Sequence, residues 1–370
     1  VCLDVPYPAN YGGAINMFHK IRWLHKSGVE IYLHCYTYGE RVPSKELEKY
    51  CKEVHYYQRR TGLLSFLSLI PYNVKSRSSV ELKENLLKNE YLILFEALHS
   101  CYWLNHKRFS HRKKIFRESN VEHDYFFHLA QNEKNLLKRV YLYSESFKLK
   151  RFERKLVASD LMLIVSKEDE KYFKNQFPSN NIRFMPSFHQ NDDVTIKEGI
   201  SDYVLYHGNL SVSENNYAAE WLIDHVFSRI NYNVIIAGLN PPAFLSKKIA
   251  QFENIQLISN CSENQMNELV EHAQVHCLYT PQPTGLKLKL LNVLFKGRHV
   301  VCDPNMIAGT ELARAVAIAK SAEDFILSIQ QLMKVPFDTA SIQNRRNLLE
   351  RYTNQRNIKD LIDALEPIKV

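Results

Sequence analysis

Apolar residues fall along this chain in short runs, separated by longer stretches in which apolar and polar positions alternate with helical spacing. The short runs, rich in β-branched and aromatic residues, predict strands at Val1–Val5, Glu30–Cys35, Val54–Tyr57, Tyr91–Phe95, Lys114–Arg117, Leu161–Val165 and Ile182–Met185. Helices are predicted between them, among them Ala14–Lys26, Val80–Lys88 and one long helix from about Asp124. The polar, irregular stretch Pro186–Gly199 breaks this rhythm and reads as an interdomain linker. The alternation then restarts. Strands are expected at Tyr203–His207, Asn233–Ala237, Ile255–Ile258, Val275–Tyr279, His299–Cys302 and Ala315–Ile318, with helices at about Asn215–Val226, Glu263–Ala273, Leu286–Phe295 and Ala322–Met333. Two more helical segments close the chain. The fold class expected is α/β, as two tandem Rossmann-like, doubly wound domains. The first spans 1–190 and the second 191–345, with 346–370 a C-terminal helix that packs back on the first domain.

Composition narrows the picture. A chain of 370 residues with 45% hydrophobic and 24% charged residues can fill two cores, which excludes disorder as its state. No run approaches the roughly 20 apolar residues of a membrane-crossing helix. The opening Val-Cys-Leu-Asp-Val-Pro has neither a basic nor an apolar leader segment, so no signal peptide is expected, and the absent initiator Met fits a first strand that lacks a few residues. The seven cysteines, Cys2, Cys35, Cys51, Cys101, Cys261, Cys277 and Cys302, are odd in number, widely spaced and free of CxxC pairs. They read as reduced, packed thiols in a cytoplasmic protein without a structural zinc site. The net charge of +8 suits nucleic acid, an anionic membrane or a phosphate-bearing substrate. Much of it lies in Lys107–Lys114 and Lys134–Lys155, where a solvated helical face explains it, and no nucleic-acid-binding motif accompanies it.

The 11 glycines are few, so their positions carry information. Gly12, Gly13, Gly208, Gly238 and Gly309 follow predicted strands, and Gly285 lies within six residues of one. In open α/β sheets these are the ligand-facing ends. The loop Asp4–Ala14, with Tyr11, Gly12 and Gly13, opens a helix whose first N–H groups can meet an anion. It lacks GxGxxG, and no acidic residue ends the second strand, which disfavours hydride transfer. Glu96 and His99 follow the next strand, and Asn120, Glu122 and His123 the one after, so these polar side chains line the first domain's ligand edge. In the second domain, Pro283-Thr284-Gly285 leads into a helix with Lys287 and Lys289 near its start. That arrangement suits a diphosphate. Thr284 and Asn292, eight residues apart, share a helix face.

With these residues in view, the chain resembles the retaining glycosyltransferases of family four in the GT-B superfamily. The Pro-Tyr-Pro…Gly-Gly loop resembles that family's N-terminal acceptor and phosphate loop. Glu153–Asp169 is similar to its domain-closing helix and strand. Leu205–Leu210 with Asn215-Asn216 is similar to the start of its donor domain, and Gly285–Val301 to its nucleotide-sugar motif. The resemblance implies two domains facing each other across a cleft. It further implies transfer of a hexose-type sugar from a UDP- or GDP-sugar to a glycan or lipid-diphosphate acceptor, with retention, without a metal and without a tightly bound cofactor. It places Gly12, Gly13, Gly208, Asn209, Thr284, Gly285, Lys287, Lys289 and Asn292 around the donor, Tyr11, Glu96, His99 and Asn120 on the acceptor side, and His123 with Glu122 at the transferred sugar. One departure stands out. Where the family has two Glu separated by seven residues, this chain has Thr284 and Asn292. A non-catalytic sugar-nucleotide-binding subunit and a nucleotide-sugar epimerase of the same fold are the alternatives. Polysaccharide or lipopolysaccharide assembly at the inner face of an anionic membrane fits the charge, and no nucleic-acid partner is expected. The apolar stretch Leu63–Tyr72 is expected to pack in a core, with contact to the membrane through Phe66–Tyr72 as the alternative.

Overall fold

The computed structural model describes residues 1–282 and 285–365. They form two units, one from Val1–Gln190 together with the segment from Asn354 onward, the other from Asn191–Thr353.

In the first unit β1 (Tyr32–Thr37) pairs with β2 (Glu53–Gln58), and β3 (Ile93–Glu96), β4 (Lys114–Arg117), β5 (Leu161–Ile164) and β6 (Asn181–Phe184) pair in sequence, all parallel. Residues 1–5, expected as a strand, form only a bridge between Cys2 and Cys35, yet their backbone joins the two ladders. The N–H groups of Cys2 and Val5 donate to the His34 and Tyr36 carbonyls at 2.8 and 3.1 Å, while the Val1 carbonyl accepts from Glu96 at 2.9 Å. The resulting order, β2-β1-(1–5)-β3-β4-β5-β6, reverses direction between residues 1–5 and β3. That reversal is the switch point at which doubly wound sheets bind ligands.

Strand β5, Leu-Met-Leu-Ile, is buried at every position, as a strand covered on both faces must be. On one face Trp23 and Leu24 of the Gly12–Lys26 helix pack with Ile358, Leu361 and Ala364 of the Asn354–Leu365 helix against Ile115 and Leu163. On the other, Leu149 and Phe152 of the Leu136–Glu153 helix cover Phe95, Phe116 and Met162. The single long helix expected from Asp124 is two, Glu122–Asn132 and Leu136–Glu153. The second starts afresh because the Asn135 side chain accepts the Lys138 N–H at 3.1 Å, a stronger local signal than continuing apolar spacing. The expectation that Leu63–Tyr72 lies in a core fails for Phe66, Leu67 and Leu69, which are exposed.

The second unit carries β7 (Tyr203–Asn209), β8 (Asn233–Leu239), β9 (Ile255–Ser259), β10 (Val275–Leu278), β11 (His299–Cys302) and β12 (Ala317–Ile318). They are parallel in the order β12-β11-β10-β7-β8-β9, with the reversal between β7 and β10. Ala219, Leu222 and Ile223 of the Ser213–His225 helix and Phe325 and Ile329 of the Ala322–Leu332 helix fill one face. Gly208 and Gly238 stand opposite each other in the ladder, where a Cβ on Gly238 would lie 1.9 Å from the Gly208 carbonyl oxygen.

The stretch 186–199 is bonded into the two units along its length. In the first unit, Phe188 is buried with its N–H on the Asn16 side chain at 3.0 Å, and His189 exchanges hydrogen bonds with the Asn354 amide at 3.1 and 2.7 Å. In the second, Thr195 donates to the Phe295 carbonyl at 2.9 Å and Gly199 bridges Phe337. The Thr339–Leu349 helix belongs to the second unit, where buried Arg345 donates to the carbonyls of Leu294 and Arg298, both at 3.1 Å. Six of the seven cysteines are buried, Cys261 being the partly exposed one.

Candidate functional site

In the second unit the carboxyl ends of β7 and β10 flank the reversal. Strand β7 delivers Gly208 and Asn209, followed by the Ser213–His225 helix. The side chain of Asn215, in that helix's first turn, packs over Gly208, where a Cβ would stand 3.2 Å from its Cγ. The Asn215 amide donates to the Asn209 carbonyl at 3.0 Å, and its oxygen accepts from Lys289 Nζ, also at 3.0 Å. Lys289 comes from the start of the Leu288–Lys296 helix, whose N-cap residue, Lys287, accepts the Leu290 N–H at its carbonyl at 3.0 Å and makes no side-chain cap among the described residues. Burial lowers the Lys289 pKa, and Glu214 and Asp303 oppose that shift. Both carboxylates are engaged. Glu214 accepts from the Thr280 hydroxyl at 2.5 Å, and Asp303 accepts the N–H groups of Thr280 and Asn305, each at 3.0 Å. His207 is buried, and burial, with Lys289 beside it, pushes its pKa down to about 4, so it is neutral at pH 7.

Of the residues expected around the donor, Gly208, Asn209 and Lys289 are therefore drawn together, with Asn215 as the link. Gly285 takes a φ of 69°, and its carbonyl accepts from the Lys287 ammonium at 3.1 Å, so Lys287 folds onto its own loop. Asn292 accepts from the Asn191 amide at 3.3 Å. Thr284 lies outside the described residues.

In the first unit the Asp4–Gly13 loop stands beside the reversal. Tyr11 donates to Asp4 at 3.3 Å and is stacked by Arg41, while Gly12 and Gly13 are the first residues of their helix. Buried Arg77 pairs with Asp4 at 3.0 Å and donates to the Leu3 and Asn73 carbonyls at 2.6 and 2.7 Å. Glu122 lies 3.4 Å from His99 Nε2 and accepts from Ser119 at 3.0 Å. Burial raises the Glu122 pKa to about 7, with Ser119 and the Arg77 charge opposing. Burial, then Arg77 and Arg59, push His99 well below the usual histidine range. The pair is thus a neutral imidazole beside a carboxyl that changes charge near neutrality, the kind of group able to exchange a proton with a hydroxyl.

His123, adjacent in sequence, turns elsewhere. Its Nδ1 lies 3.3 Å from Glu153 and its Nε2 3.2 Å from Asp124, while Glu153 accepts the Tyr172 hydroxyl at 2.5 Å. Glu96 is taken up in a buried ion pair with Lys20 at 2.5 Å. Asn120 is partly exposed in the loop before the helix. Buried Glu118 accepts the Val165 N–H at 2.8 Å and is raised well above the carboxylate range by burial and by Asp169.

Sequence reasoning missed Arg77, Glu118, Asn215 and Asp303 as site residues. Glu118 and Asp303 directly follow β4 and β11, so the strand-end rule applied to their neighbours would have found them. Arg77 follows no strand, and nothing local marks it. Among the described residues no three His, Cys, Asp or Glu side chains gather as a metal site requires.

The comparisons with known proteins bear on this geometry. The two reversals, each with its ligand edge, define the GT-B architecture found in glycosyltransferase structures. Sucrose-phosphate synthase of Thermosynechococcus elongatus superposes with a TM-score of 0.67 at 12% identity, over 99% of this chain and 96% of that one. The α,α-trehalose 6-phosphate synthase of Burkholderia multivorans gives 0.61 at 10% identity, over 97% and 95%. TarM gives 0.57 at 14% identity over 80% of this chain, and the match spans only 58% of TarM's length. In sequence, an uncharacterized 44.6 kDa protein in the cps region of Klebsiella pneumoniae is 27% identical over 314 residues, which is 79% of this chain and 78% of that protein. No protein-family model matches the chain.

Proposed function

We propose that the chain is a glycosyltransferase that moves a hexose-type sugar from a UDP- or GDP-sugar to a glycan or lipid-diphosphate acceptor in polysaccharide assembly, with retention and without a metal, in the cytoplasm. The observation that carries this reading is the Lys289 ammonium, held by Asn215 at the carboxyl edge of the β7/β10 reversal and at the start of its own helix. A cation at a helix N-terminus suits a diphosphate leaving group. The GT-B fold and the relative from a cps region support the class of reaction.

In this reading Lys289 and the Gly285 loop hold the diphosphate, Gly208 makes room for the Asn215 side chain that holds Lys289, and Asn292 meets the ribose. The acceptor hydroxyl attacks the anomeric carbon on the face that the diphosphate leaves. The new C–O bond forms as the old one breaks, and the proton passes to the departing phosphate oxygen. Glu122, with His99 beside it, positions the acceptor or the transferred sugar, and His123, held by Glu153 and Asp124, braces the start of the Glu122–Asn132 helix. One observation favours a second reading, a non-catalytic sugar-nucleotide-binding subunit. Asn292 is neutral where the resembled family has a carboxylate, and its oxygen already accepts from Asn191.

The test incubates the protein with UDP- and GDP-sugars and an isoprenoid-diphosphate glycan, measuring nucleoside diphosphate release and the anomeric form of the product. Release that requires acceptor, yields the retained anomer and falls about a hundredfold in Lys289→Ala is expected. Nucleotide binding without transfer would leave the subunit reading, and donor interconversion without acceptor would favour the epimerase.

A further inference from the structure

The Leu136–Glu153 helix carries two apolar stripes. One, with Leu142, Leu149 and Phe152, faces the core of the first unit. The other consists of Leu136, Val140, Tyr143 and Phe147. Their spacing of four, three and four residues puts them on one face, and all four are exposed, Phe147 at 72%. Leu137 flanks them at 85% exposure. A solvated helix would place polar residues along that line.

The stripe widens on both sides. Phe127 of the neighbouring Glu122–Asn132 helix lies against Tyr143, with ring centroids 5.5 Å apart. Opposite, the Phe66 ring stacks on Tyr141 at 5.0 Å and brings exposed Leu67 and Leu69 alongside. An apolar surface built from three separate segments is too extensive to be scattered exposed side chains.

Its charge is one-sided. Between residues 134 and 155 the only carboxylates, Glu145 and Glu153, are buried. Lys134, Lys138, Lys150, Arg151, Arg154 and Lys155 are all exposed. Lys150 and Arg151 continue the apolar stripe by one more turn. Lys138 pairs with Glu133 at 2.6 Å and Asp124 is half-exposed on the neighbouring helix, but the other cations outnumber these carboxylates along the apolar line, which makes it complementary to an anionic lipid surface. The rings and leucines enter the acyl boundary, and the long basic side chains reach the headgroups.

We infer that this face of the first unit docks the protein on anionic membranes, lying in the interface without crossing it. Among the described residues no helix is long and apolar enough to span a bilayer. Docking is independent of donor and acceptor, so its test stands apart from that of the transferase reading.

Sedimentation of the full chain with phosphatidylcholine vesicles, with and without about one-third phosphatidylglycerol, tests it. Binding is expected to the anionic vesicles only, and to fall steeply with salt. Leu137→Ser with Phe147→Ser should weaken it about tenfold or more. Lys150→Glu with Arg151→Glu should weaken it similarly by removing attraction to the headgroups. All four positions are exposed, so an unchanged circular dichroism spectrum and Tm are expected for both variants. The inference is overturned by a wild-type protein that stays in the supernatant at low salt, or by variants that sediment as the wild type does. It is equally overturned if Leu137→Ser with Phe147→Ser turns a dimer into a monomer without affecting vesicle binding, since the stripe would then be a contact between copies.

Discussion

Glu122 shows how one buried carboxyl ties stability to pH. Its pKa rises to about 7 in the folded chain, from an unfolded value near the usual carboxylate range. Between those two values the folded state holds the extra proton, so its advantage is complete at the acid end and is lost as pH rises to about 7. Glu122→Gln removes this penalty. The variant's stability relative to the wild type should climb between about pH 5 and 7.5, by up to about 3 kcal/mol. Thermal melts across that range would reveal it, and parallel curves would show that Glu122 is already ionised when folded. Lys289 makes the complementary prediction. If it meets a diphosphate, Lys289→Ala should lose about 2 kcal/mol of nucleotide affinity while Lys289→Arg keeps part of it, as read by calorimetric titration. Equal affinity in all three proteins would remove Lys289 from the site.

At the scale of elements, two glycines hold the second unit's sheet together. Gly238 leaves room for the Gly208 carbonyl, and Gly297 leaves room for His276, whose Nε2 would lie 2.0 Å from an added Cβ. Gly238→Ala should cost about 3 kcal/mol or more, because the obstructing atom is backbone and cannot swing aside. The same change at Gly62, where nothing lies within 4 Å, is the control. Urea unfolding midpoints that match in the two variants would contradict this. The element level is also where the sequence was most legible. Apolar runs bounded by turn residues located the strands, and the residues at or just past their ends, among them Asp4, His99, Glu122 and Gly208, fall at the carboxyl ends of the sheets. What stayed hidden has physical causes. Residues 1–5 look like an ordinary strand, but their pairing is split between two ladders. Arg77 reaches Asp4 across 73 positions of sequence, which no local pattern encodes. Spacing alone also cannot say which of two apolar stripes on the Leu136–Glu153 helix faces inward.

For the whole molecule, the two units repeat one topological idea. Each reverses its strand order once, and each gathers polar side chains at the carboxyl end of that reversal. The second unit concentrates a cation, a helix N-terminus and close-packed glycines there, while the first concentrates a carboxyl of shifted pKa and a neutral imidazole. Under the proposed transferase reading, that difference assigns the donor to the second unit and the acceptor to the first. It predicts that a bound nucleotide slows amide hydrogen exchange around Gly208–Asn215 and Gly285–Asn292 and leaves the Glu118–His123 loop unchanged until acceptor is added. Slowing confined to the first unit would reverse the assignment.

The most direct measurement is thermal stabilisation of the protein by a panel of nucleoside diphosphates and their sugars, with and without EDTA, in the wild type and in Lys289→Ala. Stabilisation by one nucleotide family that is indifferent to EDTA and lost in the variant is the expected result. No stabilisation by any nucleotide, or a shift that survives loss of the lysine, would contradict the donor site at the β7/β10 reversal.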